Sequence, residues 1–251
     1  LDTAHIVALS AQQVVALRTD EIASLQASQI EKMETDDLAA LTSTQLRTLD
    51  SSQLLALTTG QVPALRTAQL ITLKTDQISV LSSTQLNAMG SQQINNLTST
   101  QVAALTTDQV STLTTDHIAA LNVATLGALT TDQIAALTTT QMIKLSTANV
   151  AALSTAQVAA LTTEQVANMT SAQVRALENA DLQAMGTDQL VALTTDQIDK
   201  LTTVQLNALT SDQIPALTTT QMGKLTNSQL GNLTTTHLQE LGSAQIAALS
   251  S

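Results

Sequence analysis

The stretch Leu129-Thr130-Thr131-Asp132-Gln133-Ile134-Ala135-Ala136, with Leu137 opening the next copy, is one octad of a repeat that fills residues 1–251 without an insertion or deletion. Numbered from its leucine, the first position occurs 32 times and is Leu everywhere except Met33, Met89, Met169 and Met185. Methionine is an unbranched hydrophobe of similar volume that a core accepts. The sixth position is always Ile, Val, Leu or Met, the fifth is Gln in 23 of 31 copies, and the eighth is Ala in 18 of 31. Positions two and three are mostly Thr or Ser, while four and seven accept Asp, Thr, Asn, Gly and Pro alike. The pattern predicts that positions one, six and eight face inward and that four and seven face water.

Three backbones compete for this pattern. In one continuous helix, eight residues overshoot two turns by roughly 80°, so the Leu stripe would wander around the cylinder and present no face to bury. The second is a chain of very short helices. Leu129 and Ile134 then form a hydrophobic staple around a capping box of Thr130 and Gln133, and Gln-Ile-Ala-Ala-Leu forms helix readily. A later register caps on position three instead, and Pro63 and Pro215, both at position seven, favour it because proline is best tolerated near a helix start. The third is a β-solenoid with Thr-rich strands. Ile-Ala-Ala-Leu does not alternate, however, and 7 Gly and 2 Pro are few for turning its corners. The sequence predicts an all-α solenoid of very short capped helices, one per eight-residue repeat, with the β-solenoid as the alternative.

Asp at position four follows neither odd nor even octads, so every octad occupies an equivalent environment and the chain should wind as a continuous screw. The number of octads that complete a turn is not expected to be readable from the sequence. A lone octad buries too little apolar surface to offset the entropy of ordering it, so stacked neighbours must hold it. The whole of 1–251 reads as a single octapeptide-repeat solenoid, a segment of a longer array. Residues 1–95 are the most degenerate, and the octad of Gln26 to Met33 lacks a good cap, which predicts a loose joint. Copies between 97 and 177 lie closest to consensus, and 178–186 depart from it again.

Composition narrows the function. No Phe, Tyr or Trp is present, which removes the usual aromatic anchors of protein and sugar recognition. No Cys is present either, which removes thiol chemistry and disulfides. The net charge of −11 opposes nucleic acid and anionic membranes, and no apolar run reaches transmembrane length. His5, His117 and His237 all stand at position five, where they read as structural replacements for Gln. Asp and Glu at positions four and five suit helix N-termini. Asn96-Leu97-Thr98, Asn168-Met169-Thr170 and Asn232-Leu233-Thr234 match the glycosylation acceptor, a match that the repeat creates whenever Asn takes position eight. The expectation is therefore a non-enzyme with no catalytic, cofactor-binding or metal site and no cofactor.

Leu129 to Leu137 is similar to the first helix of transcription-activator-like effector repeats, a likeness of one capped turn. Over all 251 residues the array resembles the Leu-Thr-Thr-x-Gln-Ile-x-Ala octapeptide tracts of very large predicted bacterial surface or secreted proteins. That resemblance implies an extracellular or cell-surface spacer, stalk or adhesin-like scaffold, whose partners are the neighbouring repeats, with neither nucleic acid nor membrane insertion. A protein- or ligand-binding repeat module, with a protein partner or self-association, is the alternative. Ice binding by Thr ranks is a second alternative, available only to a β-solenoid with its close strand spacing.

Overall fold

A computed structural model describes residues 2–249. Among the described residues there are 30 short α-helices, one 3-10 helix and no strand. The capped-helix reading holds, and the β-solenoid and the ice-binding surface that depended on it are overturned: the Thr pairs sit at helix starts, not in strands. Thr130 is the N-cap of Thr131–Ala136. Its hydroxyl accepts from the Gln133 amide at 3.2 Å, and its own amide donates to Gln133 Oε1 at 2.8 Å, closing the reciprocal box that satisfies two orphan donors.

Position two is the N-cap of every described α-helix but one, and neither proline octad caps on position three as expected: Val62–Ala64 begins after Gln61 and Gln213–Ala216 after Asp212. In the Pro63 octad Thr58 keeps both cap bonds to Gln61, at 2.8 and 3.2 Å, but the helix shrinks to a 3-10 turn, Val62–Ala64. Pro63 has no N–H to give to the Thr59 carbonyl, so the α-helical ladder is lost there while the cap survives, whereas the Pro215 octad keeps a shortened α-helix, Gln213–Ala216. The octad around Gln26, where a loose joint was expected, holds the helix Ala27–Glu31. No side chain caps its first turn, but the Gln26 amide still donates to Gln29 Oε1 at 2.6 Å.

The chain reverses between helices on two extended residues, the position-one Leu and the position-two cap. Leu137 (φ −58°, ψ 132°) and Thr138 (φ −70°, ψ 158°) show the pattern. No described residue has a positive φ, which is why a chain with so little glycine can turn every eight residues.

Two compact units divide the chain, Leu1–Leu129 and Thr130–Ser251. In the first, each helix packs on the third helix along: Ala11–Ala16 on Thr35–Ala40, and Ser83–Ala88 on Thr107–Thr112. The second repeats this, with Thr155–Ala159 on Asn179–Ala184 and Ser171–Ala176 on Thr195–Lys200. Each unit is a solenoid of stacked short helices. Its core is the position-six side chains, such as Ile134 at 0% exposure, flanked by position-one residues such as Leu137. The four methionines at position one are buried like the leucines they replace.

The inward set differs from the expected one. No described residue at position eight is buried, and almost every position-five side chain from Gln29 onward is. Position eight lies about 200° around the helix from position six and ends up beside the junction. Polar residues there bond back onto the helix end, as Thr72 Oγ1 does to the Gln69 carbonyl at 2.6 Å. Position four is exposed in every described copy and position seven is never buried, as expected.

Candidate functional site

The recurring polar constellation of this protein is built around position five. A helix this short leaves its C-terminal carbonyls without intrahelical donors, and burying them unpaired costs about 1–3 kcal/mol each. Gln45 supplies the donor: its Nε2 donates to the Val14 carbonyl at 2.9 Å and to the Leu17 carbonyl at 2.8 Å, 31 and 28 residues earlier. Its Oε1 meanwhile accepts from the Thr42 amide at 2.8 Å. One side chain thus caps the start of its own helix and the end of a helix in the preceding turn.

The same two acceptors recur at every position-five glutamine from Gln45 to Gln109 in the first unit. They recur again from Gln165 to Gln245 in the second. The stitch runs to the helix four back, while packing is with the helix three back, so a turn closes between three and four octads.

The chemistry of the stitch explains which residues occupy position five. A capping box accepts Glu as readily as Gln, yet only Gln can also donate. The sole Glu at this position is Glu21, whose side chain is exposed. There it makes the cap bond, from the Arg18 amide at 2.8 Å, and an exposed ion pair with the Arg18 guanidinium at 3.8 Å.

His117 and His237 fall into the same slot. The His117 Nε2 lies 2.9 Å from the Met89 carbonyl and the His237 Nε2 3.2 Å from the Leu209 carbonyl, each 28 residues back. Both rings are buried and both Nδ1 atoms lack a partner, so Nε2–H is the donor. These histidines are replacement stitches, a more specific role than the structural replacement for Gln that the sequence suggests. His5 is exposed and sits 2.6 Å from Asp2 Oδ1.

His117 does not also receive the amide of its own N-cap, Thr114, and another residue does so. Asn87 Oδ1 accepts from the Thr114 amide at 3.2 Å, while its Nδ2 donates to the Thr112 carbonyl at 2.8 Å. Asn95 does the same for the octad of Thr125, accepting from the Asn122 amide at 3.1 Å and donating to the Ala120 carbonyl. Asparagine occupies position seven at 87, 95 and 207 only, and the residues 30 places on are His117, Thr125 and His237, none of them Gln. Asn207 makes the donor half of the contact, to the Asn232 carbonyl at 2.7 Å, with its Oδ1 buried and unpartnered. Thr125 is too short to fill its slot. It borders an apolar void of about 10 Å³ among Val110, Ile118, Leu121 and Leu129.

Beside Asn149, the remaining buried exceptions are Asp37 and Asp181. Both are buried, and Asp37 Oδ2 has no partner. Burial pushes the Asp37 carboxyl up, helped by the charges of Glu34 and Asp36. Burial also raises Asp181, opposed by the Glu178 amide that donates to its Oδ2 at 3.0 Å and reinforced by the Glu178 charge. Among the described residues no three His, Asp or Glu side chains gather around a point that could hold a metal ion, and no helix is long and apolar enough to cross a membrane.

A family model described as the ALTTAQ repeat matches the chain seven times in tandem, at residues 30–67, 64–99, 84–115, 115–147, 144–171, 166–203 and 199–227. No curated protein matches it.

Proposed function

The chain belongs to the ALTTAQ repeat family, and from that premise we propose that it is a non-catalytic structural repeat, working outside a bacterial cell as a spacer, stalk or adhesin-like scaffold. The observation that carries the reading is the position-five stitch. Because each glutamine bonds to carbonyls 28 and 31 residues behind it, an added octad meets the same environment as the last, and length can grow without a new core being designed. The scattered position-five exceptions keep the fold rather than gathering into a reactive cluster.

The test is small-angle scattering of arrays carrying half, the same and twice the number of octads. A spacer predicts a maximum dimension that rises in proportion to octad number. A compact particle whose dimension rises only as the cube root of its mass overturns it. A binding module is the second reading, favoured by the exposure and free variation of position four in every described copy. Exchanging the position-four aspartates for threonine would abolish such binding and leave a spacer's length unchanged.

A further inference from the structure

We propose that Asp37 and Asp181 are acid-strengthened joints, one in each unit, at which a protonated carboxylic acid takes over the inter-turn donation that glutamine makes elsewhere. Both occupy position five and both side chains are buried, at 3% exposure. The register of the neighbouring stitches places the carbonyls of Ile6 and Leu9 opposite Asp37, and those of Val150 and Leu153 opposite Asp181. An ionised carboxylate has no hydrogen to give to a carbonyl oxygen, and two acceptors facing each other in a buried slot repel. Asp37 Oδ2 is left without any partner. The O–H of the protonated acid removes that conflict by donating across the turn.

No cation relieves either group. The elements packed on Thr35–Ala40 are Ala11–Ala16 and Val62–Ala64, and those packed on Asn179–Ala184 are Thr155–Ala159 and Thr203–Ala208. None of these four carries a charged or titratable side chain. Among the described residues the charges that act on the carboxyls are those of the acids Glu34, Asp36 and Glu178, which add to the upward push of burial. His5, one place before Ile6 on the helix four back from Asp37, is exposed and sits against Asp2 Oδ1. Nor does either site have the compensating asparagine: position seven 30 residues earlier holds Val7 and Ala151. A folded-state pKa raised above the unfolded value means that the stabilising contribution is complete below the ordinary aspartate range and is lost as pH rises through the folded value. The two joints are therefore tightest in acid and loosest at neutral pH. The inference rests on the stitch alone and holds wherever the array works.

The test uses the full chain and its Asp37→Gln/Asp181→Gln variant, which restores the consensus donor and so favours folding, with Asp132→Asn, an exposed position-four change, as control. Carboxyl carbon shifts followed by NMR should place the midpoints of Asp37 and Asp181 above the ordinary aspartate value. Melting temperatures taken from acid to neutral pH should show the double variant gaining most over the parent at neutral pH and little in acid, while the control runs parallel to the parent. Ordinary midpoints for both aspartates, or a double variant whose melting profile runs parallel to the parent at every pH, would overturn the proposal.

Discussion

Gln85 Nε2 donates to the carbonyl of Leu57, 28 residues earlier, at 2.7 Å, and the same nitrogen reaches the Leu54 carbonyl at 2.8 Å. Its Oε1 accepts the Ser82 amide at 2.9 Å. Substituting Glu keeps the last bond, deletes the first two and sets a buried charge against two carbonyl oxygens. Gln85→Glu should cost roughly 2–5 kcal/mol. Gln13 makes the equivalent cap bond, from the Ser10 amide at 2.9 Å, on an exposed side chain. Gln13→Glu should therefore stay within about 0.5 kcal/mol of the parent. Urea unfolding of the two variants side by side checks the contrast.

The Asn87–His117 arrangement divides between two residues what one glutamine does alone. Asn87→Ala should cost about 1 kcal/mol, since it removes the bonds to the exposed Thr114 amide and Thr112 carbonyl. In a His117→Gln background the new Oε1 takes the Thr114 amide, so the same alanine change should cost less. The double-mutant cycle should show a coupling of at least about 0.5 kcal/mol. Additive costs would mean that the two positions are independent.

Positions six and eight should respond oppositely to substitution. Leu86 is fully buried, so Leu86→Ala should cost about 2–5 kcal/mol through lost burial and a cavity. Ala88 is half-buried beside the junction, and Ala88→Ser should change stability by no more than about 0.5 kcal/mol. Denaturant midpoints decide whether position eight belongs to the core.

Asp50 titrates in the opposite sense to Asp37. As an N-cap it accepts the Gln53 amide at 2.8 Å and the Ser52 hydroxyl at 2.7 Å, and these bonds hold its carboxyl below the ordinary 3.8. A depressed folded pKa gives stability that is present above the ordinary value and lost as pH falls through the depressed one. Asp50→Asn keeps a capping oxygen but cannot titrate. The stability gap between Asp50→Asn and the parent, measured by melting, should change only at the acid end of that range.

Much of the architecture is legible in the octad. Leu129 and Ile134 announce the staple, Thr130 and Gln133 the box, and their spacing the eight-residue helix-and-turn unit. From the sequence, position five shows its cap alone, because a capping box explains Gln without needing its second functional group. The overlooked signal is chemical: of two residues that cap equally well, the one able to donate fills 23 of 31 copies, and the other occurs only at Glu21. The octads per turn were also encoded, in asparagines at 87, 95 and 207 standing 30 residues ahead of His117, Thr125 and His237. That pairing is invisible to a reading taken octad by octad, since it links residues in different turns. Position eight misled because a small residue at helical spacing resembles a core position, whereas here it marks a crowded chain reversal.

The central claim is that glutamine side-chain amides, not only leucine packing, join one turn to the next. The direct measurement is hydrogen exchange at the glutamine Nε2 groups, resolved by NMR. The account predicts slow exchange at buried stitches such as Gln53, Gln85 and Gln197 and fast exchange at the exposed Gln12 and Gln13. Uniformly fast exchange at all of these side chains would contradict it.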